Sequence, residues 1–269
     1  MGGSLLSGIP YTWQEGLLIL ASVCSLLFLV LFLSVIKKIG IGKEFTFAIF
    51  KGGIQLLLIA LFLTFLFQFD LWYLLIWLLL LIMVVVGGYT SAKRAHHMPQ
   101  AYKVTTPAIL LGSTTVLLVL ALSQAMPLQP QFIIPLAGMA FGNSMTICSL
   151  ALDRLLREIQ LNKSVIETML SLGANSKQAT EEVSRLAVSA ALIPTIDRLK
   201  TLGIIFIPGA MAGLLIAGTD PLVAAEYQII VYLMIVGGGI ITSLAVVSFS
   251  KKKLFNQAEQ IAEWIDPPA

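Results

Sequence analysis

Apolar residues run in long blocks along this chain, and polar residues are gathered into the gaps between them. A helix that crosses the hydrocarbon core of a bilayer takes about 20 predominantly apolar residues. Seven blocks approach that length: residues 14–36, 45–67, 71–89, 105–125, 132–152, 199–217 and 227–249. The ends of the third and sixth are the least sharply drawn, and Pro208-Gly209 interrupts the sixth, which predicts a kink or break there. The pattern predicts an all-α polytopic membrane protein of about seven transmembrane helices, forming one transmembrane domain over residues 1–269. The longest polar stretch, residues 153–200, holds 13 of the chain's 31 charged residues.

Within that stretch, Ser164-x-x-Glu167 has the form of a capping box and predicts a helix starting at Ser164. Val165, Ile166, Met169 and Leu170 form its apolar side. Gly173 is placed to take the left-handed conformation that ends a helix, and Asn175 or Ser176 to cap the next one. In that second helix Ala179, Val183, Leu186, Ala187 and Ala190 recur at helical spacing, opposite Glu181, Glu182 and Arg185. Two readings follow: a loop or interfacial helix lying on the protein's own underside or on lipid, or a helix inserted into the groove of a soluble partner. The pattern alone favours neither.

Composition agrees with the blocks. The chain is 58% hydrophobic and 12% charged, with a mean hydropathy of +0.93, against roughly 45–50% and about 25% for a soluble domain. The first 13 residues contain no Lys or Arg, whereas a cleaved signal peptide starts basic, so the first block reads as a retained membrane helix. Basic residues mark cytoplasmic loops. Seven crossings place all 17 Lys and Arg on one side, with Glu15, Asp70, Asp220 and Glu226 on the other. The N-terminus is then outside, the C-terminus inside, and residues 153–200 are cytoplasmic. The net charge of +3 follows from topology and calls for no nucleic acid. Cys24 and Cys148 both sit in apolar blocks, as small buried hydrophobes rather than a disulfide or metal pair.

Polar groups at membrane depth each ask for a reason. Gln55 stands near the middle of the second block, one turn from Lys51; it serves an interhelical hydrogen bond or lines a path. In the fifth block Pro135 introduces a kink and Gly138-x-x-x-Gly142 offers close helix packing. Met139, Asn143 and Thr146 share one face there, with Met145 and Cys148 on others. That face is either a packed polar seam or a path wall offering an amide oxygen and a thioether to a transition metal. Met211 joins Gln55, Met139, Asn143 and Thr146 as a translocation-path candidate. Asp197 and Lys200 read first as an ion pair on a helix surface, with gating as the alternative. Pro208 and Gly209, followed by Gly213, form a kink with a small-residue face or a hinge for alternating access. His96-His97-Met98 resembles a metal cluster, but adjacent histidines on a helix diverge by about 100° and no third ligand is near, so they read first as solvated or interfacial, with a metal role as the lesser alternative. The outer acids draw cations toward the mouth or simply balance a basic interior, and Asp220-Pro221 makes a turn before the last helix. No acid, base and nucleophile converge at depth, which argues against an intramembrane enzyme.

Glu167-Thr-Met-Leu-Ser-Leu-Gly173 resembles the start of the EAA motif of ABC permeases, with Thr168 and Met169 in place of the two alanines and Pro194 further downstream than the usual spacing. The chain also contains Ile134-Pro-Leu-Ala-Gly-Met-Ala-Phe-Gly-Asn-Ser-Met145, Leu170-Ser-Leu-Gly-Ala174, Ala190-Ala-Leu-Ile-Pro-Thr-Ile-Asp197, Ile207-Pro-Gly-Ala-Met-Ala-Gly-Leu-Leu-Ile-Ala-Gly-Thr-Asp-Pro221 and Tyr227-Gln228. In this order the segments resemble the FetB-like permease family, which includes bacterial iron-export permeases and plant aluminium-tolerance permeases. The resemblance is specific over residues 134–228 and looser before that.

The resemblance implies a plasma (inner) membrane permease without an ATPase of its own. It would work as a homodimer with a separate ABC ATP-binding subunit that carries ATP and Mg. The helix at 164–172 would be the coupling helix, with Glu167, Met169, Leu170, Gly173 and Ala174 facing the partner. The chain itself has no Gly-x-x-x-x-Gly-Lys-Ser/Thr loop. Iron or another metal ion is the cargo the bacterial resemblance suggests; a nucleotide sugar or other small solute, or an ATP-independent carrier or channel, are the alternatives.

Overall fold

The computed structural model describes residues 13–38, 42–68, 72–95, 98–125, 127–256 and 258–265. Among them the chain forms ten α-helices and one short 3₁₀ turn, and it divides into two compact units, Met1–Trp72 with Ile216–Gly218, and Tyr73–Leu215 with Thr219–Ala269.

The first unit holds α1 (Trp13–Ile36) and α2 (Gly42–Leu66). At 1.5 Å per residue each is about 36–38 Å long, enough to cross a bilayer. They approach at Gly42, where a Cβ would lie 3.5 Å from the Ser34 hydroxyl and 3.6 Å from Leu31. Phe28, Phe32, Phe47 and Leu57 stay exposed, the arrangement suited to lipid. Cys24 is exposed here too. Its expected burial is corrected: an apolar neighbourhood in sequence is satisfied by lipid as well as by protein.

The second unit is built on two long helices, α5 (Pro130–Leu161) and α10 (Pro221–Leu254), with α4 (Tyr102–Leu122) and α8 (Glu181–Lys200) each packed against both. Lipid tails are as apolar as leucine, so helix association here depends on close fit and interhelical hydrogen bonds. The fit comes from glycines. A Cβ on Gly112 of α4 would collide with Thr242 and lie 2.7 Å from the Gly238 carbonyl oxygen of α10. One on Gly239 would strike Ile147 of α5, and one on Gly88 of α3 (Trp72–Arg94) would strike Thr106 of α4. The close packing expected of Gly138 and Gly142 is corrected. Among the described residues, Gly142 is exposed and a Cβ there meets nothing within 4 Å, while one at Gly138 meets only the Met83 methyl at 4.0 Å. Hydrogen bonds bind the same helices: Ser91 Oγ donates to the Met145 carbonyl at 2.9 Å, Ser149 Oγ to Ser91 Oγ at 3.1 Å, and Thr105 Oγ1 to the Gly88 carbonyl at 2.7 Å.

The sixth expected span, residues 199–217, is not one helix. α8 ends at Lys200, a turn follows, and α9 (Gly209–Ile216) has only 8 residues. Gly203 takes φ +79° in the turn and donates to the Phe206 carbonyl at 3.0 Å; Pro208 has no N–H to carry a helix across. The helix packed in the bundle is α8. It is too rich in Ser, Ala and charge to read as a span, but it buries Val183, Ser184, Ala187, Ala191 and Thr195 along one stripe. Its start, Glu181, lies within electrostatic reach of Lys251 on α10, and its end, Arg198, within reach of Tyr232. Those partners are about 28 Å apart along α10 and about 25 Å apart along α8. The two helices therefore run side by side in opposite directions.

Candidate functional site

Between α5 and α8 the polar stretch folds into α6 (Lys163–Ser171) and a single turn, α7 (Ser176–Ala179). The expected capping box at Ser164 is corrected. α6 starts one residue earlier, behind Asn162, which offers no side-chain cap. Glu167 pairs with Lys163 at 3.7 Å, and Asn162 alone separates α6 from α5, so Ser164 lies within the helix and not outside it as a cap. The turn that follows matches expectation closely. Gly173 takes φ +92°, its N–H donates to the Leu170 carbonyl, and the Ala174 N–H donates to the Met169 carbonyl, each at 3.0 Å. This pair of bonds is the Schellman ending, which satisfies carbonyls that a helix C-terminus leaves free. Asn175 then caps α7 in a reciprocal box with Gln178, at 2.9 and 3.0 Å.

α6 carries two apolar faces rather than one. Ile166 is 1% exposed in the core shared by Ile159, Val183 and Leu254, and Leu170 packs against that core. Val165, Met169 and Leu172 lie about 100° around the helix and are exposed, at 56%, 37% and 83%. Leu161, the last residue of α5, continues the stripe. Ile166 and Leu170 thus hold α6 to the bundle while the adjacent stripe is bare.

The three path candidates on α5 have different settings. Asn143 Nδ2 donates to the Ile235 carbonyl of α10 at 3.0 Å, and Met139 packs half-buried in a second core cluster with Leu136 and Val231. Thr146 is exposed and donates to its own helix at Gly142, 3.1 Å away. Gln55 is exposed on α2, and Met211 half-buried on α9. A polar convergence that spacing did not reveal lies close to Asn143: Ser144 and Thr242 are buried near Gly238, and their hydroxyls have no partner among the described residues. Of the gating candidates, Asp197 and Lys200 form a well-exposed pair at 3.8 Å, while buried Pro208 and exposed Gly209 stand at the entry to α9. His96 and His97 lie outside the described residues. Among the described residues no three His, Cys, Asp or Glu side chains gather as metal ligands.

Sequence reasoning also missed the chain's end. After the Lys251–Lys253 triplet, Phe255, Ile261, Trp264 and Ile265 fold back onto the core around Ile166; their apolar spacing after a basic run was the available signal.

Long apolar helices and buried hydroxyl-to-carbonyl bonds between them define a multi-pass, all-α membrane protein. The Uncharacterised protein family (UPF0014) matches residues 17–255, and the chain belongs to this family. It is 35% identical over 242 residues to the UPF0014 membrane protein STAR2 of Oryza sativa subsp. japonica, covering 88% of this chain and 84% of that one. It is 32% identical over 257 residues to the protein ALUMINUM SENSITIVE 3 of Arabidopsis thaliana, 93% of each chain. It is 31% identical over 225 residues to the probable iron export permease protein FetB of Escherichia coli (strain K12), 84% of this chain and 86% of that one. No solved structure matches.

Proposed function

We propose that this chain is the membrane subunit of an ABC transporter, energised by a separate ATP-binding subunit that docks on α6, and that it exports iron or another metal ion. The observation that carries the docking is the divided face of α6: Ile166 and Leu170 anchor it while Val165, Met169 and Leu172 are left bare. A helix held on one side and apolar on the next is the form that enters a partner's groove. The Gly173 turn fixes its end, so a push on the stripe is passed to α5 and α8. ATP and Mg belong to the partner, and two copies of the chain would face two ATP-binding subunits. The cargo class follows the name of the E. coli relative.

In this reading the N-terminus is outside the plasma membrane and α6, α7 and the C-terminus are cytoplasmic. α8 takes the place of the sixth crossing, so Arg198 and Lys200 stand at the outer end, apart from the other bases. The test is co-purification with the cognate ATP-binding subunit, then reconstitution and a screen of metal ions and small solutes for stimulated ATP hydrolysis. Association lost on Met169→Asp and metal-stimulated hydrolysis in the unaltered complex are expected. Association unchanged by Met169→Asp would remove α6 as the docking site, and stimulation by a nucleotide sugar alone would replace the cargo.

A further inference from the structure

We infer that residues 255–256 and 258–265 form a clasp that positions α6 and α7, with Glu259 as its positioning residue; its consequence for the partner rests on the docking reading above. After α10 ends, the chain reverses at once. The Ala262 N–H donates to the Leu254 carbonyl at 2.9 Å, and Phe255 bridges Ile261. Asn256 Oδ1 organises the tip by accepting from the N–H groups of Ala258 and Gln260, each at 2.9 Å. At this tip Glu259 takes φ +58°, a region unfavourable to a residue with a Cβ.

That backbone aims its carboxylate at α7, where Oε2 accepts from the Ser176 N–H at 2.6 Å. Ser176 opens α7, so its N–H has no partner within the helix, and an ionised acceptor there makes a charge-assisted bond. The far end of the segment is tied to two other helices. Trp264 Nε1 donates to the Lys253 carbonyl at 3.2 Å, and Gln160 Nε2 of α5 donates to the Ile265 carbonyl at 2.7 Å. Ile265, 2% exposed, packs in the same core as Ile166. One short segment thus joins the ends of α5 and α10 to the start of α7. Ser176 is two residues past Ala174, which closes the turn on Met169. Glu259 therefore holds the exit of the turn that presents the bare stripe.

Hydrogen exchange of the full chain in lipid nanodiscs tests this. Glu259→Ala should speed exchange over residues 173–178 by about three- to tenfold, the loss of one exposed charge-assisted bond, with α4 and α5 unchanged. Glu259→Gln keeps an acceptor and should recover most of the protection. Asn256→Ala, which loosens the tip without touching Ser176, should reproduce the Glu259→Ala pattern. The affinity for the ATP-binding subunit should fall several-fold in Glu259→Ala, although no residue of the stripe is altered. Unchanged exchange in Glu259→Ala overturns the clasp. Faster exchange with unchanged affinity overturns its positioning role. If the unaltered chain binds no ATP-binding subunit, the docking reading falls, and exchange alone decides the clasp.

Discussion

Gly112 and Gly142 look alike in sequence, each a glycine inside an apolar helix, yet they predict opposite outcomes. A side chain at Gly112 meets the Thr242 side chain and the Gly238 carbonyl, and the carbonyl cannot give way without shifting α10. Gly112→Val should therefore destabilise the bundle by about 1–3 kcal/mol, read as a lowered Tm in detergent. Gly142→Ala meets nothing within 4 Å among the described residues and should leave stability unchanged or raise it by up to about 1 kcal/mol; a large loss there would place a helix against Gly142 after all. Asn143→Leu removes the bond to Ile235 at 3.0 Å. The stability loss should be near 0.6 kcal/mol, so a much larger loss of transport would assign Asn143 to the path, and unaltered transport would leave it as scaffold. Spacing identified Asn143 as a residue with a task, but it also grouped Thr146 with it, and the structure separates them. Which hydroxyl finds a neighbouring helix depends on where that helix lies.

At the scale of the element, α6 and its turn were mostly legible. The glycine turn and the Asn175 cap are local devices that depend on a few adjacent residues, and both are formed. The division of the apolar side was not legible, because hydropathy ranks Ile166 and Met169 alike and only the core around Ile159 tells them apart. The consequence is measurable. Ile166→Asp places a carboxylate in a site 1% exposed and should cost several kcal/mol or prevent folding. Met169→Asp should leave the folding stability within about 0.5 kcal/mol of the parent while abolishing association with the ATP-binding subunit. Gly173→Val forces a β-branched residue to φ +92°; it should permit insertion yet uncouple the partner's ATP hydrolysis from transport, as should Glu167→Lys. Normal transport by both would show that the turn transmits nothing.

For the whole molecule, orientation turns on α8. Cysteine labelling in intact cells separates the possibilities: a cysteine at Leu172 should react only with reagent that reaches the cytoplasm, and one at Lys200 with impermeant reagent outside. Reaction of both from the same side would mean that α8 does not cross. Membrane character, the positions of α1 to α5 and α10, and the short helix and glycine turn between α5 and α8 were determined by the sequence, since transfer to lipid is a sum over consecutive residues and caps are local. The tertiary structure decided what depends on neighbours. α8 is unremarkable by hydropathy but lies in the bundle because its small residues fit between α5 and α10, whereas the more apolar 199–217 breaks at Gly203 and Pro208. The C-terminal clasp belongs to the same class: Glu259 and Ser176 are 83 residues apart in the chain, and only the packing of α5, α7 and α10 brings them to one hydrogen bond.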